Sequence, residues 1–256
     1  MATKKKKAAE ENPGIDFSGD AGMGFENVDQ TDLGIPFLAI AQKLSPEVDA
    51  DHPKYIEGAE AGVIFNTQTR EVLGGRGEPV TFVPVHYQKA YVEWQPRESG
   101  GGFRGAHTAE ILTQCTRDER GRDVLPNGNL IVTTAYILGF VIDEDGDHTK
   151  AVISLTSTQL KKARQWLNMM MSIKLTNSDG DKFTPPMFSH KYSLSTMPES
   201  NDMGSWQGWK IEQAGMVGDA NLVEEARNAA KNPMISSVVQ NALPAASEES
   251  GDDEPF

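Results

Sequence analysis

Aromatic and cationic side chains interleave along Tyr87-Gln88-Lys89-Ala90-Tyr91-Val92-Glu93-Trp94-Gln95-Pro96-Arg97, and the segment runs on through three glycines to Phe103-Arg104. Rings can stack on nucleobases while Lys89, Arg97 and Arg104 neutralise phosphates, the chemistry by which proteins hold single-stranded nucleic acid without reading its sequence. Each stacked base contributes about 1–3 kcal/mol. Gly100, Gly101 and Gly102 would let a loop close over a strand, or bring backbone N–H groups near a phosphate. The competing use is structural, with Tyr91 and Trp94 as core or cross-strand pairs and the glycines as a plain hairpin loop. Tyr87 and Tyr91 share one face of a strand and Trp94 falls on the other, so the three rings cannot line one flat platform without a bulge.

Two further groups offer the same chemistry. Ser205-Trp206-Gln207-Gly208-Trp209-Lys210 sets two tryptophans three apart, so in a strand one faces the core and the other an edge. Trp209 and Lys210 are the candidate contacts there. Lys161, Lys162 and Arg164, near Trp166, can supply phosphate contacts from a helix, for which a solvated polar face is the alternative.

Motifs for catalysis and metal binding fail on spacing. There is no Gly-x-x-x-x-Gly-Lys-Ser/Thr loop. Asp143-Glu144-Asp145-Gly146-Asp147 begins like a calcium loop, but His148 and Ser154 stand where a glycine and a bidentate glutamate are required. Asn177-Ser178-Asp179-Gly180-Asp181 fails likewise and reads as a turn. His52, His86, His107, His148 and His190 are scattered, and Cys115 is the only cysteine. Neither enzyme, cofactor nor metal is expected.

The elements that must position these residues are mainly strands. Gly62 to Thr67 and Arg70 to Leu73 read as two strands about a turn, and Pro79 to Tyr87 continues into Tyr91 to Trp94. Leu130 to Ile142 is a long β-branched run, turned by the acids at 143–147 into Ala151 to Leu155. A helix follows, capped by Thr156 or Ser157, with Leu160, Ala163, Leu167 and Met170 on one face. Strands are expected at Lys191 to Thr196 and Trp206 to Ile211, and a short helix at Asn221 to Lys231. Gly34 to Ala41 is ambiguous between strand and helix. The fold class is therefore mainly β with a few helices. A disordered arm is expected over 1–30, one domain over 31–243 and a tail over 244–256.

That tail, Glu248-Glu249-Ser250-Gly251-Asp252-Asp253-Glu254-Pro255-Phe256, sets five acids before a terminal Phe and cannot bury itself. It resembles the acidic C-terminal tip of bacterial single-stranded DNA-binding proteins and of their phage counterparts. The order of parts, a disordered start, a β-rich body with an aromatic and glycine-rich segment, a strand with Gly-Trp-Lys, then the acidic tail, is similar to phage single-stranded DNA-binding proteins. That resemblance implies an OB-fold-like barrel which coats single strands in phage replication or recombination. Asp252, Asp253, Glu254, Pro255 and Phe256 would then recruit replication or recombination proteins, with Phe256 entering an apolar pocket flanked by cations. A strand-annealing recombination protein, which could form a homo-oligomer, and a virion-associated β protein that binds no nucleic acid are the rival readings.

Composition constrains these expectations. The net charge is −13 over 256 residues, so any groove for nucleic acid must be a local basic strip. The basic start at Lys4 to Lys7 lacks the apolar stretch of a secretory signal, and Leu130 to Ile142 is too short to span a bilayer. No membrane partner is expected, and a phage-encoded chain would act in the cytoplasm of the infected host.

Overall fold

The computed structural model describes residues 34–202 and 204–233, preceded by Asp16, 18–20 and 22–26. The acidic tail at 244–256 and most of the expected arm at 1–30 lie outside the described residues. The strands are β1 (Phe37–Ile40), β2 (Ile64–Asn66), β3 (Val72–Gly74), β4 (Val80–Trp94), β5 (Phe103–His107), β6 (Thr116–Arg117), β7 (Asp123–Val124), β8 (Leu130–Ile142), β9 (His148–Thr156), β10 (Leu175–Thr176), β11 (Lys182–Phe183), β12 (His190–Asn201) and β13 (Gly204–Met216). Two α-helices accompany them, α1 (Leu160–Ser172) and α2 (Ala220–Lys231).

β4, β8 and β9 form an antiparallel meander. The chain then passes through α1 and returns as β12 on the far side of β4, with β13 outside it. Three strands in chain order and a fourth beside the first, with the short β5, β6 and β7 set aside, make a Greek key. With a fifth strand and a helix between the third and fourth, the order is that of an OB-fold. The sheet curls strongly into a half-barrel, and β1, parallel to β9, extends it through β2 to β3.

The curl has local causes. The β4–β8 register slips between Pro84 and His86, and Pro84 lies opposite Gly139. A bulge bends the strand, and a proline is tolerated there because it has no N–H to give to the ladder. Gly139 permits close approach, since a β-carbon would sit 2.3 Å from the Val83 carbonyl oxygen and 2.4 Å from the Phe82 ring. Inside the barrel Phe82, Ile137, Ile153, Tyr192 and Leu194 meet Ala163, Trp166 and Met170 of α1. Trp166, expected beside a cationic face, is instead 1% exposed and edge-on to Tyr192 at 5.4 Å.

Side-chain amides, rather than a strand ladder, close the seam between β13 and the β1–β2 region. The Gln42 amide treats Gln207 as a neighbouring strand would: Oε1 accepts from its N–H at 2.8 Å and Nε2 donates to its carbonyl at 3.0 Å. Gln159 Oε1 accepts from Trp209 N–H at 3.1 Å, and Thr196 Oγ1 donates to the Gly62 carbonyl at 2.5 Å. β13's edge is thus capped at two positions by glutamine.

The structure corrects several expectations in detail. β4 is one unbroken strand through Gln88–Ala90, and β12 and β13 run well past 191–196 and 206–211, because each ladder continues into polar residues that alternation does not mark. Within Gly34–Ala41, Phe37–Ile40 is a strand. Neither Thr156 nor Ser157 caps α1 with its side chain; a 3-10 turn, Ser157–Gln159, leads in. α2 is capped by Asp219, whose carboxylate accepts from Asn221 N–H at 2.8 Å. Leu222 and Ala226 of α2 cover Val83, Val85 and Phe140 on the convex face of the sheet.

Candidate nucleic-acid interface

Barrels of this order take ligands across their second and third strands and at the loops joining strands one to two and four to five. Here the second and third strands are β8 and β9, and on their convex face Tyr136, Leu138 and Val152 are at most 3% exposed. The open chemistry therefore lies in the connection from β4 to β8, residues 95–129, which begins with the β4–β5 hairpin.

Period two divides the predicted aromatics as expected. Tyr87, Lys89 and Tyr91 pair with Ile137, Ala135 and Thr133, the face that carries the barrel core, whereas Trp94 pairs with Leu130 on the other face. Tyr87 is half-buried against that core. Lys89 is exposed, with Nζ 5.8 Å from the Tyr91 ring centroid. Tyr91 itself is 7% exposed and packs with Leu125 and Ile131, so it offers no ring face to a base.

The tip of the hairpin holds the accessible set. Trp94 and Phe103 are half-buried cross-strand partners, edge to face at 5.9 Å. Arg104 is the extra residue where the β4–β5 register slips; it is exposed and donates to Gln95 Oε1. Arg97 is exposed in the 3-10 turn Arg97–Ser99. Gly100, Gly101 and Gly102 have φ of 109°, 68° and 105°, a conformation that favours glycine. The N–H groups of Gly100 and Gly101 donate to the Arg97 and Pro96 carbonyls, so they close the turn rather than face a phosphate.

Beside the hairpin, Glu93 accepts from Asn129 Nδ2 at 2.5 Å and pairs with His107 Nε2 at 2.8 Å. The Asn129 hydrogen bond, then His107 and Asn127, outweigh burial and hold its carboxyl below the usual glutamate range. Cys115 sits nearby, and burial, with Asp123 and Glu93, pushes its thiol up, away from the thiolate a nucleophile needs.

The other predicted residues separate. Lys161 and Arg164 are exposed on α1, but Lys162 Nζ is 2.6 Å from Glu199 Oε1. Glu199 also accepts from Gln159 Nε2 at 3.1 Å and Trp206 Nε1 at 3.0 Å. Burial pushes its pKa up, but the Lys162, Gln159 and Trp206 bonds prevail and lower it. Trp209, 4% exposed, is a core residue, since the odd member of the Trp206–Trp209 pair turns inward. Lys210 is exposed and pairs with Glu212 at 2.7 Å.

One signal was readable in the sequence yet missed. Residues 148–178 contain Lys150, Lys161, Lys162, Arg164 and Lys174 and no Asp or Glu, in a chain of net charge −13. α1 lies inside this stretch, and its outward face presents Lys161, Arg164, Gln165, Asn168 and Met171. It is a local basic strip in an acidic chain.

Among the described residues, no helix is long and apolar enough to cross a membrane, and no group of three His, Cys, Asp or Glu could hold a metal ion. A protein-family model described as Pam3 phage gp34-like protein matches residues 4–237. No curated protein and no solved structure matches the chain.

Proposed function

This chain belongs to the Pam3 phage gp34-like protein family, and from that premise we propose that it is a non-enzymatic single-stranded DNA-binding protein acting in phage DNA replication or recombination. The observation that carries the reading is the hairpin tip. On the loop joining the first and second strands of an OB-like half-barrel, a half-exposed Trp94–Phe103 pair shares the hairpin tip with exposed Arg97 and Arg104. Rings at this place stack on bases, and guanidinium groups hold the flanking phosphates. Lys89, Lys161 and Arg164 add phosphate contacts, whereas Tyr91 and Trp209 hold the sheet and Lys162 and Lys210 are engaged by carboxylates. Asp252 to Phe256 serve as the docking tip for replication or recombination proteins, in the cytoplasm of the infected host.

The test is a fluorescence-anisotropy titration of labelled single strands with the full chain, with a truncation lacking 245–256, and with Trp94→Ala/Arg104→Ala. The truncation binds more tightly, because the acids that compete with phosphate are gone. The double variant loses at least tenfold, the equivalent of about 1.4 kcal/mol, within the worth of one stacked base. Phe256→Ala leaves DNA affinity unchanged and weakens capture of replication proteins. Absence of single-strand binding by every form rejects the proposal.

A further inference from the structure

We infer that the outward face of α1 and the β10–β11 hairpin form a second contact surface for single-stranded DNA, with Phe183 as its stacking residue. The inference rests on the single-strand reading above and adds a site to it. α1 runs directly into β10, and the two-stranded β10–β11 sheet stands apart from the main sheet. At its base Phe183 pairs across from Leu175 and remains 43% exposed, with Met171 at the end of α1 65% exposed. A lone exposed apolar side chain needs no explanation. The same stretch of chain carries exposed cations: Lys161 and Arg164 on α1, Lys174 between helix and hairpin, and Lys182, next to Phe183 in sequence and on the opposite face of β11.

Charge names the occupant. From 148 to 178 there is no carboxylate side chain; the hairpin's own acids, Asp179 and Asp181, sit in its turn, Asp181 two residues from Phe183, and Glu199, which reaches α1 from β12, is held by Lys162. Lys174 donates to Thr184 Oγ1 and to the Met171 carbonyl, which holds its ammonium over the junction of helix and hairpin. An exposed ring past the end of a helix whose outward face is cationic, with Gln165 and Asn168 as neutral donors, matches a polyanion whose base faces are open. In a duplex those faces are stacked away, so phosphate contacts would survive and the Phe183 contribution would not.

The experiment uses the full chain and a labelled oligodeoxythymidine of about 30 nucleotides, long enough to reach more than one site. Phe183→Ala is expected to weaken binding by roughly 5- to 100-fold. Lys161→Gln/Arg164→Gln is expected to lower the slope of log K against log salt by about 1.4, that is about 0.7 for each phosphate released. Because Phe183→Ala could loosen the hairpin, Phe183→Trp is titrated too: its added indole fluorescence is quenched on saturation if a base stacks there. Wild-type binding with both loss variants unchanged and the new indole unquenched overturns the surface, and with it the Lys161 and Arg164 contacts, but leaves single-strand binding at the hairpin tip intact. No binding by wild type removes both.

Discussion

Gly208 lies beneath the Glu199 carboxylate, and replacing it by alanine tests whether that carboxylate organises the β12–β13 hairpin. An ideal β-carbon at 208 would sit 2.4 Å from Glu199 Oε2, 2.6 Å from its Cδ and 3.1 Å from Gln159 Nε2. The carboxylate would have to withdraw by about 1 Å, which takes bonds now at 2.6–3.1 Å to Lys162, Gln159 and Trp206 past the hydrogen-bonding limit. Bonds to a charged group are worth about 1.5–3 kcal/mol each, and partial exposure of Glu199 reduces the total for Gly208→Ala to about 2–3 kcal/mol. For a domain of this size that lowers Tm by roughly 4–12 °C. In a Glu199→Ala background the obstructing group is gone, and Gly208→Ala becomes neutral or gains up to about 1 kcal/mol from the lost flexibility of glycine. Urea unfolding of the four proteins measures the coupling, expected at about 2 kcal/mol or more. Additive effects, within about 0.5 kcal/mol, refute the reasoning.

Other consequences follow from the same geometry. Gly139→Ala drives a β-carbon into the Val83 carbonyl and the Phe82 ring, and is expected to cost about 3 kcal/mol or more, read as a fall in Tm or loss of soluble protein. Gln42→Ala leaves the Gln207 N–H and carbonyl without their seam partner; a loss of about 1–3 kcal/mol and faster hydrogen exchange at the Gln207 amide are expected, and unchanged exchange counts against the seam. Glu199 and Glu93 both have pKa values below the ordinary 4.5, so their contributions are complete above that value and fade as pH falls through the lowered folded values. Thermal melts from pH 6 downward should fall more steeply for wild type than for Glu199→Gln; parallel curves contradict the assignment.

Much of the fold was legible because its signals are local. The run Leu130 to Ile142 and its acidic turn give β8 and, at Ala151 to Leu155, the body of β9 though not its start, and the spacing of Leu160, Ala163, Leu167 and Met170 gives α1. The ends of β12 and β13 were not legible, since Glu199, Ser200 and Asn201 are held in the ladder by pairing with Trp206, Ser205 and Gly204, a tertiary fact. The seam was also hidden: nothing local marks Gln42 and Gln159 as substitutes for a strand. The candidate interface was half legible. Periodicity separated Trp94 from Tyr91, but which one faced solvent depended on Leu125 and Ile131 burying Tyr91. Lys162 read as a free cation because Glu199 is 37 residues away in sequence. The acid-free stretch at 148–178 needed only a count of carboxylates along the chain.

The central claim is single-strand binding by an acidic protein through a local basic and aromatic surface. Competition of unlabelled single strand and duplex of equal length for a labelled single strand, at about 20 mM and again at about 200 mM salt, tests it most directly. The account predicts that single strands displace the label at lower concentration than duplex at both salts, with affinity falling steeply as salt rises. Equal displacement by duplex, or affinity that does not respond to salt, would contradict it.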